Sequence, residues 1–300
     1  MTTSNGLLLV DKPRGLTSHD VVARVRRILH EKKVGHAGTL DPMATGLLVL
    51  GVGPSTRLLR FAQAETKRYV GVVKFGVATD SLDADGTTTE EREVPVLSTD
   101  VVDTATESMF GTQLQTPPMV SAIKVDGQRL HELARRGVEV ERRAREITVT
   151  KFGLSSTDDP SLWRFEVECS VGTYVRVLLS DLAIRLGTIG HLVELRRTAS
   201  GSHVVDDALT LEAFAALVEQ GRDPVAAPAA FVTELQHVTL DDDEIRAVRM
   251  GQRVKLAEEY RDDEIAAMDA TGELIGILQR RADSWKPALV LTAAGESARG

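Results

Sequence analysis

Residues 35–46 concentrate residue types that can do chemistry: one histidine, one aspartate and three glycines. Glycines this close together allow tight turns and a close approach of the backbone to a ligand. Pro42 disfavours helical backbone at Asp41, so Asp41 is expected on an extended loop, five residues after His36. A carboxylate held in this way can act as a nucleophile. Two structural interpretations remain open, a helix N-cap followed by proline and an ordinary glycine turn.

The elements around this loop can be predicted from apolar spacing. Residues 6–10 read as a strand, residues 19–30 as an amphipathic helix, and the apolar run 47–50 as a buried strand or the start of a helix. Downstream, residues 69–77 and 163–170 alternate as strands do. The apolar run that follows the loop is therefore expected to anchor it to a core.

Composition excludes several classes of protein. Of the 300 residues 42% are hydrophobic and 27% are charged, as in a globular domain. The single cysteine, Cys169, excludes an internal disulfide framework and a cysteine zinc site, and the histidines show no metal-ligand spacing. No apolar run approaches the roughly 20 residues needed to span a bilayer, and no signal peptide is evident. We expect a cytoplasmic protein with no metal and no membrane partner.

The charge is unevenly distributed along the chain. The net charge is −8, yet residues 1–70 hold 11 basic and 5 acidic residues, whereas residues 201–300 hold 10 and 19. Seven further lysines and arginines lie between Lys124 and Arg145. Polyanion binding depends on the local field, so a nucleic-acid partner is compatible with the acidic total. Scattered, solvated charge is the alternative interpretation.

The segment Gly-His-Ala-Gly-Thr-Leu-Asp-Pro-Met-Ala-Thr-Gly at residues 35–46 resembles the catalytic motif of the TruB family of tRNA pseudouridine synthases. The resemblance extends almost continuously over residues 6–200. It includes Lys-Arg-Tyr at 67–69, Gly-Thr-Tyr-Val-Arg at 172–176, and the basic insertion at 117–124 and 134–137. Val171 departs from the pattern, because many relatives carry a lysine there.

The resemblance implies a role for each matching residue. Asp41 would be the nucleophile, with Arg176 orienting it and lowering its pKa. The implied substrate-binding residues are Tyr69, which stacks on the base, His36, which supports the flipped state, the pocket residues Tyr174 and Leu195, and Lys124 and Arg129, which grip the RNA. Without the resemblance, the tyrosines would be half-buried strand aromatics, Arg176 a surface ion-pair partner, Leu195 core and His36 a turn residue.

The fold implied by the resemblance is α+β, with a mixed, mainly antiparallel central sheet and flanking helices. Residues 1–225 would form the catalytic domain, with an RNA-gripping insertion at about 116–146. Residues 232–295 would form a small β-rich domain similar to PUA-type RNA-binding domains, after a linker at 226–230. This last similarity rests on position, size and pattern.

The function implied is isomerisation, without a cofactor, of uridine 55 in the T-loop of tRNA. The tRNA T-arm would be the partner, and a monomer with no obligatory protein partner is expected. Three alternatives remain: a guide-RNA-dependent synthase subunit, a non-catalytic tRNA-folding or binding protein, and a glycosidase.

Overall fold

The computed structural model describes residues 4–63, 66–119 and 140–291, together with the backbone of residues 124–125 and 128–129. Its helices are α1 (Ser18–Leu29), α2 (Leu59–Gln63), α3 (Thr99–Glu107), α4 (Val175–Arg185), α5 (Leu211–Glu219) and α6 (Asp242–Arg249). Its strands are β1 (Gly6–Lys12), β2 (Val34–His36), β3 (Thr45–Val52), β4 (Lys67–Phe75), β5 (Val77–Thr79), β6 (Thr88–Glu91), β7 (Gly111–Gln115), β8 (Lys124–Val125), β9 (Gln128–Arg129), β10 (Arg145–Ser156), β11 (Leu162–Cys169), β12 (Gly190–Ser200), β13 (His203–Val204), β14 (Leu209–Thr210), β15 (His237–Thr239), β16 (Glu264–Met268), β17 (Leu274–Arg281) and β18 (Ser284–Val290).

A ten-stranded sheet forms the centre of the molecule. Its strand order is β14-β1-β3-β12-β4-β11-β10-β7, with β13 paired to β12 and β2 paired to β3. The pairs β1–β14 and β3–β12 are parallel and the other pairs are antiparallel. The predicted α+β class, with a mixed and mainly antiparallel sheet, is confirmed. No helix of the described ranges is both long and apolar enough to cross a bilayer.

Local sequence explains the elements beside the loop. The apolar run 47–50 is a strand rather than a helix start, and all four of its side chains are fully buried, as expected of a strand covered on both faces. Helix α1 begins with a capping box between Thr17 and Asp20 and buries Val21, Val22 and Val25. It ends at His30 in the left-handed conformation.

The sheet register brings distant motifs to one place. Tyr69 of β4 pairs with Arg197 of β12 on one side and with Val167 of β11 on the other. Strand β12 also pairs with the start of β3, at Thr45, which directly follows the Asp41 loop. Helix α4 starts a few residues after β11 ends. The three predicted motifs therefore converge at one end of the central strands.

A second, four-stranded sheet, β15-β16-β17-β18, lies in the C-terminal part of the chain. Its residues share one hydrophobic cluster with the central sheet, which we call the joining cluster. Its members include Leu47, Val49, Phe231, Ala266 and Met268. The predicted linker is part of this arrangement, because Ala226 exchanges backbone hydrogen bonds of 2.9 and 2.8 Å with Leu7.

The predicted RNA-gripping insertion falls largely outside the described residues. Within it, the backbone of β8 pairs antiparallel with that of β9, which sets Lys124 opposite Arg129. The grip predicted for Lys124 and Arg129 concerns side chains that lie outside the described part of the chain.

Candidate active site

Asp41 lies on a loop between β2 and β3 and lines a cleft of about 370 Å³. The amide of Ala44 donates to the carbonyl oxygen of Asp41 at 3.1 Å, so Pro42 sits inside a turn and no helix starts there. The Asp41 side chain is 37% exposed. Besides Asp41, the lining of this Asp41 cleft includes Gly38, Lys67, Tyr69, Val171, Tyr174 and Leu195. A larger concavity, about 500 Å³, lies across β4 at Val70 and Val72, away from the predicted residues.

Arg176 contacts Asp41 directly. It lies in the first turn of α4, is 2% exposed, and places Nε 3.1 Å from Asp41 Oδ2. Its Nη1 donates to Asp83 Oδ2 at 3.0 Å and to the carbonyl oxygen of Ser81 at 2.8 Å. One guanidinium therefore holds two carboxylates, and the second of them was not predicted. The only signal for Asp83 in the sequence is an acidic residue in an Asp- and Gly-rich loop.

Burial and several neighbouring charges act on the pKa of Asp41. Burial raises the pKa of the Asp41 carboxyl, and the charges of Asp83 and Asp85 raise it further, while Arg176 and Lys12 act against this. Arg176 lowers this pKa, as an ion pair should, but burial has the larger effect and the net direction is upward. The site thus ionises its carboxylate less readily than free aspartate.

Two of the predicted aromatic residues meet at the cleft with Leu195. Tyr69 lies on β4, where burial raises its pKa and the neighbouring Arg197 guanidinium lowers it. Tyr174 precedes α4, and its backbone is bracketed by Gln115: Tyr174 N donates to Oε1 at 2.8 Å, and Nε2 donates to the Tyr174 carbonyl at 3.1 Å. Leu195 is 8% exposed on β12.

His36 lies apart from these residues. It ends β2, is half-buried, and its ring stands edge-on to that of exposed His19, with centroids 5.4 Å apart. Burial lowers the pKa of His36, as do the neighbouring His19 and Arg197. Among the described residues, the lining of the Asp41 cleft does not include His36. His36 therefore sits before the loop rather than in the wall of the cleft.

Comparison with known proteins identifies this arrangement. Residues 26–175 match the family described as TruB family pseudouridylate synthase (N terminal domain). Residues 176–243 match the tRNA pseudouridylate synthase B C-terminal domain, and residues 235–292 match tRNA Pseudouridine synthase II, C terminal. The chain belongs to the TruB family.

Curated TruB relatives match over most of their length. The tRNA pseudouridine synthase B of Streptococcus sanguinis is 40% identical over 94% of this chain and 98% of its own. The protein of the same name from Leifsonia xyli is 43% identical over 92% and 93%. The tRNA pseudouridine synthase B of Opitutus terrae is 49% identical over 71% of this chain and 88% of its own. The resemblance found in the motifs is confirmed.

Solved structures support the TruB fold. An H/ACA RNP bound to a substrate RNA has a TM-score of 0.74 at 22% identity, covering 98% of this chain and 87% of that one. A Cbf5-Nop10-Gar1 complex has a TM-score of 0.73 at 25% identity, covering 97% and 85%. The first of these likenesses concerns the fold alone.

In this TruB-family chain, side chains outside the predicted set support the Asp41 loop. Ser18 Oγ accepts from Leu40 N at 2.8 Å and donates to Leu40 O at 3.2 Å. Lys12 Nζ donates to Leu16 O at 2.7 Å and to Pro42 O at 3.4 Å. Arg197, 1% exposed, is hydrogen-bonded to three carbonyl oxygens, those of Leu47 at 2.7 Å, Gly38 at 3.3 Å and Thr39 at 3.5 Å. The loop is thus fixed before any ligand arrives, as a preorganised site requires.

Proposed function

We propose that this protein converts the T-loop uridine of tRNA, at position 55, to pseudouridine. The observation that supports this most is the Asp41–Arg176 ion pair, whose carboxylate lines a cleft together with Tyr69 and Tyr174. The names of the relatives, tRNA pseudouridine synthase B, support the choice of tRNA as substrate.

The proposed reaction needs one carboxylate and an extruded nucleoside. The N1–C1′ bond breaks, the uracil turns, a C5–C1′ bond forms, the C5 proton is lost and N1 gains a proton. Asp41 serves as the nucleophile, Arg176 orients it, and Tyr69 stacks on the base, which must leave its loop to be reached. Tyr174 and Leu195 line the pocket, and His36 supports the flipped state from the strand before the loop.

The glycosidase alternative is disfavoured by the second carboxylate. Glycosidases place two carboxyl groups on either side of the scissile bond. Here Asp83 is 5% exposed and is bonded to the same guanidinium as Asp41, so it faces Arg176 rather than the cleft. This geometry supports the isomerase.

The proposed assembly is a single chain acting on tRNA without a guide RNA. The fold of H/ACA proteins is shared, but the curated relatives that span this chain carry the tRNA enzyme's name. Residues 1–225 are proposed as the catalytic domain and residues 232–295 as a PUA-like RNA-binding domain. Lys124 and Arg129 of the insertion at 116–146 are proposed to grip the T-arm, and the protein is proposed to act as a cytoplasmic monomer.

The test is hydrogen release from uridine labelled at C5 in unmodified tRNA transcript. Wild-type protein alone should release the label, whereas Asp41→Asn should release none and still bind the transcript. Release that continues in Asp41→Asn contradicts the assignment of the nucleophile. A wild-type protein that binds but releases nothing points to the binding module or the guide-dependent subunit, and free uracil as product points to the glycosidase.

A further inference from the structure

Lys67 is a buried cation in the wall of the Asp41 cleft for which the described residues supply no counterion. The residue is 7% exposed. No carboxylate in the described ranges forms an ion pair with its ammonium, and no described side chain or carbonyl accepts a hydrogen bond from it. An ammonium removed from water without a partner is strongly unfavourable, so a protein keeps one where a ligand supplies the partner.

The position of Lys67 is fixed by its neighbours. As the first residue of β4 it pairs with Cys169 of β11 and with Ser200 of β12. Its ammonium rests against the backbone of Gly38, since a Cβ built there would lie 2.9 Å from Nζ. The charge is therefore held in the cleft wall and does not extend into bulk water.

The two ends of the cleft hold different charged groups. At one end, the carboxylates of Asp41 and Asp83 share Arg176, and Lys12 also acts on Asp41. At the other end, Lys67 neighbours Arg197, whose acceptors on the Asp41 loop are carbonyl oxygens, and Cys169, whose pKa burial raises to about 11. Burial and Arg197 lower the pKa of Lys67 to about 8, as expected where two cations lie together. An anion is what this end lacks.

The geometry of β4 relates an anion bound by Lys67 to a base stacked on Tyr69. Lys67 and Tyr69 are two positions apart on β4, both face the cleft, and they are separated by about 7 Å along the strand. Aromatic stacking of bases beside a cation that follows the backbone is a general pattern in single-stranded recognition. A nucleotide stacked on Tyr69 brings its phosphodiester, with one negative charge, toward Lys67.

We propose that Lys67 binds a backbone phosphate flanking the flipped uridine, and so positions the nucleotide between Tyr69 and Asp41. This proposal rests on the proposed function and adds a contact that orients the substrate from the end of the cleft opposite Arg176. Arg68 offers a matched control, because it is exposed and alternates to the other face of the same strand.

The experiment combines Lys67→Met and Arg68→Met with T-arm stem-loops whose phosphates 5′ or 3′ of the target uridine are replaced by neutral methylphosphonates. Binding is measured in an Asp41→Asn background. One of the two methylphosphonates should weaken binding to the protein that retains Lys67 by at least about 10-fold. The same methylphosphonate should not further weaken the binding of Lys67→Met. In addition, Lys67→Met should lower the slope of log affinity against log salt by about 0.7. Arg68→Met should keep the full methylphosphonate effect.

Two outcomes overturn the proposal. One is that neither methylphosphonate weakens binding to the protein that retains Lys67, a result that needs no Lys67 variant to fold. The other is that Lys67→Met leaves binding unchanged in the Asp41→Asn background, while Lys67→Met with Asp41 retained loses its saturating single-turnover rate, which would make Lys67 an acid–base group. Lys67→Met should unfold at or above the wild-type temperature, because a desolvated charge is removed. Wild-type hydrogen release is measured alongside; its absence refutes the proposed function, whereas its presence without the phosphate coupling refutes the Lys67 contact alone.

Discussion

Asp83→Asn removes one charge behind the proposed nucleophile and leaves the shape of the site intact. The Asp83 carboxylate accepts hydrogen bonds from Arg176 Nη1 at 3.0 Å, Ser81 Oγ at 2.5 Å and the amide of Asp85 at 3.2 Å. Asparagine keeps one acceptor oxygen but loses the negative charge. Arg176 is then anchored by Asp41 and by neutral oxygens.

The size of the effect follows from burial. The Asp83 side chain is 7% exposed and that of Arg176 is 3% exposed, so their hydrogen bond is charge-assisted and shielded from water. Such a bond is worth about 1.5–3 kcal/mol. If that energy holds Arg176 in place during the reaction, the single-turnover rate should fall about 10- to 150-fold.

The pH dependence gives a second, independent expectation. Asp41 acts as a nucleophile when ionised, so the rate should fall as the pH drops through its pKa. The charge of Asp83 raises that pKa. Asp83→Asn should therefore lower it and move the acidic limb of the rate profile to lower pH, even as the plateau rate decreases.

The assay is single-turnover hydrogen release with saturating protein across the acidic range. Asp85→Asn is the matched control: it removes the same charge from the same loop, and Asp85 is exposed. The Asp85 carboxylate also raises the pKa of Asp41, so Asp85→Asn should move the acidic limb in the same direction as Asp83→Asn does. It should keep most of the plateau rate. An Asp83→Asn variant with an unchanged plateau, or an acidic limb moved to higher pH, would refute this account of Arg176.

Three further predictions concern stability. Asp41→Asn should unfold at a higher temperature than wild type at neutral pH and not in strong acid, because a raised pKa means that stability is lost as the pH rises through it; a lower neutral midpoint would contradict this. Gly38→Ala should reduce hydrogen release and stability together, because φ is +104° and the new Cβ would lie 2.9 Å from the buried Lys67 ammonium. Gly187→Ala is the control: its φ is +78° but the space around it is open, so it should reduce stability alone. Phe231→Ala should lower the free energy of unfolding in denaturant by about 3–5 kcal/mol. Arg60→Ala should lower it by less than about 1 kcal/mol, because the Arg60 side chain is 50% exposed in its ion pair. Equal losses in the two variants would contradict the importance of the joining cluster.

Short-range features of this protein could be predicted from sequence. Pro42 and the glycines around Asp41 are local determinants, and the structure has the expected loop followed by a buried strand. The helix predicted at 19–30 is α1, shifted by one residue at each end. The family and the α+β class are confirmed, while the roles of His36 and the other site residues stay predictions.

The rest depends on contacts that a single sequence does not encode locally. Asp83 meets Arg176 across 93 positions, and Gln115 meets Tyr174 across 59. Both contacts depend on strand register and on the path of a loop, which apolar periodicity does not specify. The pKa of Asp41 could not be predicted either, because its direction depends on how much water the folded chain removes from the carboxylate.

The joining cluster has a consequence for the distance between the Asp41 cleft and the C-terminal sheet. The central sheet and the C-terminal sheet share one buried apolar cluster, and Ala226 is hydrogen-bonded to Leu7 of β1. The two sheets therefore cannot rotate relative to each other without opening that core. Their separation is fixed. An RNA that contacts both the Asp41 cleft and the C-terminal sheet would therefore have to match one fixed distance between them.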